Sequence, residues 1–454
     1  MSIIKLNYIR SFFLNGHERS IRAKKNISVS FICKGLSILI SFVIVPITLG
    51  YVSKEEYGLW MAISSIIQWF AFFDIGLGNG LRNKLAESFA KDDVVMARIY
   101  ISSVFAIITG ISVSLFIIFY IISNFISWNS ILNTSILSNS SLFNSVIVVF
   151  AFFCIGFVTN IVSSILQAKQ KYALNDILGL ISQIFGLVSI VLLVNTSNGS
   201  LFKLCLVYSG KSAVVMLIAT FILFNRNLKE LRPSVKYIDF KKALPLMRLG
   251  LKFFISQILY LIVTQTSVFL VIQLFGPSEV TIYNLAFRYV SITSIGFMTI
   301  LTPYLSAFTE AYSKDDLIWI KHTIKNINKV WLALSTITLI LVFLSSSFFQ
   351  VWVGKDFPIP LSLILVISIT SIVTNFTATY SMFLNGIGKI TIQLYLLTFQ
   401  AILYFPLSYF FFKLNFGLNS VILPQFIFYL ISSLIMKIQY KKIINKKAEG
   451  LWNR

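Results

Sequence analysis

Apolar runs of 18 or more residues recur along the whole of this 454-residue chain. Each is long enough to cross a hydrocarbon core about 30 Å thick as an α-helix. Hydrocarbon offers no hydrogen-bond partner to a bare peptide group, so a lipid-crossing chain is confined to helices or a closed barrel. Runs of this length select helices, and the fold class read from them is an all-α membrane protein. Composition agrees: 57% of residues are hydrophobic and 12% are charged, against about 25% charged in a soluble domain. Twelve spans are predicted, near 27–49, 57–77, 98–122, 144–167, 177–196, 202–224, 249–275, 281–305, 327–350, 359–384, 391–413 and 416–437.

The net charge of +22 has a topological cause under this scheme. Of 38 Lys and Arg residues, 30 fall on one side of the membrane. The other side holds Lys54, Lys203, Lys355 and Lys413. Basic residues collect in cytoplasmic loops, which predicts cytoplasmic termini and requires an even number of spans. Topology and anionic headgroups then account for most of the excess charge, and nucleic-acid binding is not needed. The expected division is a basic tail at 1–26, a six-span lobe at 27–224, a basic linker at 225–248, a second six-span lobe at 249–437 and a basic tail at 438–454.

Two stretches about 226 residues apart look like copies. One runs from Gly50 through Tyr57 and Glu87 to Lys91-Asp92-Asp93. The other runs from Gly276 through Tyr283 and Glu310 to Lys314-Asp315-Asp316. Each reads as an outer turn, an apolar helix, a polar segment ending in Glu, and K-D-D opening the next helix. Internal repeats of this kind mark transporter folds, with the substrate path between the halves. Six spans per half is even, so the copies run in the same orientation.

Charge inside the spans is the chemical anomaly. Lys34, Lys211, Lys252 and Arg288 are the cations, and Asp74 is the clearest anion. A charge at the bilayer centre costs roughly 2.5–3.5 kcal/mol on insertion scales. At about 1.5 Å per residue, Lys252 sits only about 5 Å inside its span and can snorkel to the surface. Lys34 and Arg288 lie about 10 Å deep and Lys211 nearly 14 Å. These three are expected to face a water-filled cavity, whose positive potential would attract an anionic substrate such as a phosphate or pyrophosphate headgroup. Asp74 is a candidate coupling site, or else an interface residue before Gly76-Leu77-Gly78. Polar stripes at helical spacing support a wet interior: Asn160, Ser164 and Gln167; Asp176, Gly179, Gln183 and Gly186; Asn284, Arg288 and Ser291; Ser368, Ser371, Asn375 and Thr379. Interhelical hydrogen bonding explains such stripes as well. Pro46 predicts a kink in the first span.

Other chemistry is not indicated. Cys33, Cys154 and Cys205 are scattered through apolar runs, and His17 and His322 lie far apart, so neither a disulfide framework nor a metal site is expected. The N-terminal tail lacks the features of a cleaved signal. No nucleotide-binding loop of the G-x-x-x-x-G-K-[ST] type occurs, and no catalytic triad or carboxylate pair is evident. No cofactor and no enzymatic activity are expected.

The run Phe72-Phe73-Asp74-Ile75-Gly76-Leu77-Gly78-Asn79-Gly80-Leu81-Arg82-Asn83-Lys84-Leu85-Ala86-Glu87 resembles the signature after the second span of bacterial O-antigen flippases. These form the polysaccharide-transporter branch of the multidrug/oligosaccharidyl-lipid/polysaccharide (MOP) exporter superfamily. The Pro46 to Gly58 segment and Leu384-Asn385-Gly386-Ile387-Gly388-Lys389 are similar to that family too. The resemblance implies two six-helix lobes around a central cavity, like those of the multidrug (MATE) exporters. It also implies transfer of an undecaprenyl-pyrophosphate-linked oligosaccharide across the inner membrane by alternating access. The partners implied are that lipid-linked glycan, the bilayer, a polysaccharide polymerase and a chain-length regulator. A multidrug or cation exporter of the same fold calls for acidic cavity residues, which this chain mostly lacks. A membrane polymerase or glycosyltransferase calls for a charged outer loop, and the longest outer loop, about 123–143, has no charged residue.

Overall fold

The computed structural model describes residues 18–74, 77–242, 258–259, 262, 265–354 and 357–453. All regular structure among them is helical. The chain opens with α1 (Glu18–Tyr51), α2 (Lys54–Gln68), a 3-10 segment (Trp69–Asp74) and α3 (Leu77–Ala90). It continues with α4 (Val94–Ser123), the short α5 (Trp128–Ile131), α6 (Asn139–Thr159) and α7 (Ile161–Ala168). Next come α8 (Tyr172–Thr196) and α9 (Leu201–Asn225), then α10 (Gln265–Phe275). The last group is α11 (Pro277–Leu301), α12 (Tyr304–Ser313), α13 (Leu317–Trp352), α14 (Leu361–Gly386), α15 (Thr391–Lys413) and α16 (Asn419–Ile444).

Ten helical stretches among the described residues are long and apolar enough to cross a membrane. They correspond to ten of the twelve predicted spans. Of the other two, span 2 is broken: α2 stops after 15 residues and the chain continues as 3-10 helix to Asp74. Span 7 is represented by α10, and much of the rest of it lies outside the described residues. An all-helical membrane protein with about twelve spans is the fold observed. Large apolar side chains such as Phe221, Phe343 and Ile402 are exposed on the long helices, as lipid-facing positions require.

Two helices start well before the spans that hydropathy marks: α1 at Glu18 against 27, and α13 at Leu317 against 327, where the K-D-D repeat predicts a helix start. The latter runs for 36 residues, about 54 Å at 1.5 Å per residue. The cause is a cap, Asp316, whose side chain accepts from Trp319 N at 3.0 Å. The helix starts where its amides find an acceptor and becomes apolar only later. The repeat shows the same device at its other copy, where Asp93 accepts from Met96 N at 2.9 Å. In both copies the middle residue of K-D-D is left-handed, with φ 53° at Asp92 and 54° at Asp315. In both, the capping residue's amide reaches back across the turn, Asp93 N to Ser88 O and Asp316 N to Ala311 O, each at 2.9 Å. Lys91 pairs with Glu87 and Lys314 with Glu310. These cations, with Lys84 foremost on Glu87, hold both carboxyls below the usual range. At the K-D-D turn the sequence repeat is therefore a repeat of geometry; upstream the copies differ, Gly50 lying inside α1 and Gly276 capping α11 at φ 88°.

The chain divides into two compact units. The first comprises Met1–Glu56, Phe70–Ile131 and Ser135–Ile255; the second comprises Tyr57–Trp69, Leu132–Thr134 and Ser256–Arg454. In the first unit, Leu81, Leu85, Ile101, Val104, Val162 and Ile165 form one core cluster joining α3, α4 and α7. The basic segment after α9 is stitched to this unit. Leu228 and Leu231 join the cluster, Ser103 Oγ bonds both the amide and the carbonyl of Asp239, and the Arg98 guanidinium lies 4.2 Å from the Tyr237 ring centre. In the second unit, Phe297, Phe308, Ile320, Tyr380 and Phe383 form the matching cluster. Two close approaches there need glycine. A Cβ on Gly386 would lie 2.8 Å from Leu305 O, and one on Gly58 would run into Pro277 O.

Replacing Gly58 by Ala should therefore lower thermal stability in detergent. Overpacking typically costs about 1–3 kcal/mol, which outweighs the ~1 kcal/mol that Ala gains over Gly in an exposed helix. An unchanged unfolding midpoint would mean that α2 and α11 do not approach this closely.

Candidate functional site

The polar groups expected to carry function are placed differently in the two units. In the first unit, α8 and α9 bring Lys211 and Gln183 together: Lys211 Nζ donates to Gln183 Oε1 at 2.9 Å. The amine also lies 5.1 Å from the Tyr208 ring centre, within reach of the ring's negative face. Its stem runs over Gly186, where a Cβ would meet Lys211 Cδ at 2.6 Å. Tyr208 is anchored in turn to α1, its hydroxyl 2.6 Å from Thr48 Oγ1. Thr48 already donates its one proton to Ile44 O, so Tyr208 is the donor in that bond. A half-buried lysine is thus held by an amide and a glycine-sized gap of α8 and by an aromatic face of its own helix α9, which α1 anchors through Thr48.

The other first-unit candidates are more dispersed. Lys34 is exposed on α1. Asp176 is half-buried on α8 and Asn160 is exposed at the junction of α6 and α7. Asp74 ends the 3-10 segment; its side chain lies outside the description. Lys252 lies outside the described residues altogether.

In the second unit, Arg288 is half-buried on α11, and its charge acts on the buried Tyr57 hydroxyl of α2. That hydroxyl has no hydrogen-bond partner among the described residues. Asn284 turns its amide back to Val280 O at 2.9 Å, and Ser291 bonds Arg288 O at 2.8 Å. The α14 stripe packs inward. Ser368, Asn375 and Thr379 are buried, and Asn375 Nδ2 donates to Ser294 Oγ at 3.1 Å, which lies 2.8 Å from Ser371 Oγ.

Sequence reasoning missed a second polar cluster in this unit. Gln425 Nε2 donates to Ser267 Oγ at 2.6 Å and to Tyr404 OH at 3.1 Å. Tyr404 OH donates to Val421 O at 2.9 Å. Its only proton is thereby used, so Ser267 Oγ donates across their 2.7 Å contact. Ser267 is hydrogen-bonded to Tyr283 as well. Four elements, α10, α11, α15 and α16, meet at this network. The available signal was Pro424 beside Gln425: a proline in α16 frees carbonyls in the preceding turn, and a nearby polar side chain can use one.

The geometry defines a class first: an all-helical, multi-pass membrane protein with duplicated helix–turn devices, and with a half-buried cation in each unit. A solved structure of similar fold is the inward-facing conformation of a multidrug resistance MATE family transporter of the MOP superfamily, with TM-score 0.75 over 94% of this chain and all of that one, at 15% identity. The outward-facing conformation of such a transporter matches with TM-score 0.65 at 16% identity over 94% of this chain and 96% of that one. A model of the polysaccharide biosynthesis protein family matches residues 23–309, and the chain belongs to that family. A putative O-antigen export protein from Yersinia pseudotuberculosis is 27% identical over 377 residues, covering 81% of this chain and 84% of that protein.

Replacing Tyr404 by Phe should destabilise the protein by about 1–3 kcal/mol, the usual penalty for a buried partner left unsatisfied. Thermal unfolding checks this. A neutral result would mean that Ser267 and Gln425 find other partners.

Proposed function

We propose that this protein is a flippase of the bacterial inner membrane. Its cargo is an undecaprenyl-pyrophosphate-linked oligosaccharide, an O-antigen or similar repeat unit, moved by alternating access. The observation that carries the proposal is the held cation Lys211. A lysine deep in a span costs several kcal/mol, and here it is oriented by Gln183, Gly186 and Tyr208 rather than left to snorkel. Lys211, with Lys34, Arg288 and Lys252, supplies the positive charge that a pyrophosphate needs; Asn160, Asp176, Gln183 and Asn284 lie on the polar faces that would meet sugars. Similarity to the putative O-antigen export protein of Yersinia pseudotuberculosis and membership of the family support a role in polysaccharide export. The fold is one solved in both inward- and outward-facing states, which supports alternating access. The 30-of-38 bias of Lys and Arg supports cytoplasmic termini. The polysaccharide polymerase and chain-length regulator are the proposed protein partners, and no catalytic step is assigned to the chain.

The test uses a strain lacking its own flippase but making a matched repeat unit. This protein should restore surface polysaccharide. Lys211→Gln should reduce the restored amount about tenfold or more, since a charge-assisted contact is worth about 1.5–3 kcal/mol. Full restoration by the variant removes Lys211 from the site, and failure of the wild-type protein removes the assignment. Asp74 is the proposed coupling residue: Asp74→Asn should abolish transport at every imposed proton gradient, and unchanged transport ends that role.

A further inference from the structure

Helix α2 lies in the first half of the chain but packs with the second unit. Residues Tyr57–Trp69 belong to that unit, while Glu56 before them and Phe70 after them belong to the first. The contacts of α2 run along α10 and α11. Gly58 lies against Pro277 O, Ser65 Oγ donates to Gln265 O at 3.1 Å, and the Trp69 ring centre lies 6.4 Å from that of Phe269. The loop Leu132–Thr134 also belongs to the second unit. Its Asn133, left-handed at φ 46°, donates its amide to Ile272 O and Gln273 O at 3.2 and 3.3 Å, in the last turn of α10, where a helix runs out of amide partners.

The two ends of α2 differ. It starts on a cap of its own: Ser53 Oγ accepts from Glu56 N, and Glu56 Oε2 accepts from Ser53 N, each at 3.1 Å, the reciprocal pair of a capping box. It ends in the 3-10 segment Trp69–Asp74. There the packing changes partner between consecutive residues. Trp69 faces Phe269 of α10, whereas the Phe70 ring lies 5.4 Å from Phe119 of α4 and 4.9 Å from Phe150 of α6. The boundary between the units falls between the same two residues. The repeat supplies a comparison. At its offset of about 226 residues, Trp69–Asp74 corresponds to 295–300, which is unbroken α-helix within α11. The copy that keeps to one unit stays helical, and the copy that changes unit breaks at the change. The 3-10 ladder has poorer hydrogen-bond geometry than an α-helix, and a stretch of it inside a helix often marks a hinge.

We propose that Trp69–Asp74 is a hinge and α2 a swinging element, docked on α10 and α11 here and released from them during the transport cycle. The purpose of the movement rests on the proposed transport activity; the movement itself does not. A 15-residue helix is a rod about 22 Å long, and with its own cap it can move as a body. The 3-10 segment is where the backbone absorbs the change, and Asn133 is a second clasp at the end of α10.

The full chain carrying Ser65→Cys/Gln265→Cys is oxidised to a disulfide, and new surface polysaccharide is measured in the strain described above. Before oxidation the variant should support export. Oxidation should abolish export, and a reductant should restore it. A Ser102→Cys/Ser234→Cys pair, which ties α4 to the basic linker within the first unit, should support export whether oxidised or not. Continued export with the α2–α10 disulfide formed overturns the proposal, as does an equal loss with the α4–linker disulfide. A second readout needs no transport. In nanodiscs, Ser65→Cys, at a position 5% exposed, should react with a water-soluble maleimide, while the native Cys205, 0% exposed, should not. Protection of Ser65→Cys equal to that of Cys205 overturns the hinge even where export is seen. Reaction of Ser65→Cys together with failure of the wild-type protein to export removes the transport assignment and leaves the hinge. If Ser65→Cys/Gln265→Cys does not fold, Trp69→Cys/Phe269→Cys takes its place in the cross-linking arm with the same criteria.

Discussion

Hydrocarbon does not hydrogen-bond, and the architecture follows from that constraint. Every peptide group and polar side chain within the bilayer must be satisfied by the protein itself. Most polar residues here obey it locally. Thr48, Thr220, Thr299 and Thr398 return their hydroxyl protons to the carbonyl four residues back. Three long helices of the first unit finish with an asparagine that does the same with its amide: Asn124 to Tyr120 O, Asn195 to Val191 O and Asn225 to Phe221 O. Against that background, a polar group that reaches across to another helix stands out. Lys211 with Gln183, Asn375 with Ser294, and Gln425 with Ser267 and Tyr404 are such groups.

The same constraint explains what could be read from the sequence. Ten of the twelve spans are legible because lipid demands a long apolar run, and hydropathy measures that demand directly. Helix starts are less legible. Asp316 opens α13 ten residues before its apolar stretch, and only the K-D-D motif marks the place. Span 2 is predominantly apolar, yet α2 gives way to a 3-10 helix at Trp69, a local choice that hydropathy does not encode.

Site residues were legible as types and depths, not as partners. Periodicity assigns Ser368, Asn375 and Thr379 to one face of α14, but it cannot say whether that face meets water or another helix; the structure buries them beside α11. Lys211 and Gln183 appeared separately, one as a deep cation and one as a member of a polar stripe, and only folding joins them. Tyr208 and Tyr404 gave no signal, because tyrosine is unremarkable in a span until its hydroxyl's partner is known. Fold and family are therefore well determined by composition, spacing and motif, while the polar interior depends on three-dimensional pairing. The duplicated Asp-capped turns link the two levels, since the residues that betray the repeat in sequence are those that build it in space.

The space over Gly186, filled by the Lys211 stem, ties two positions together. Any β-carbon there collides with the Lys211 stem, so the lysine can occupy this rotamer only while residue 186 stays a glycine. Positions 186 and 211 should consequently drift in concert among related chains: where the glycine has been replaced, the cation should be shortened, relocated or gone.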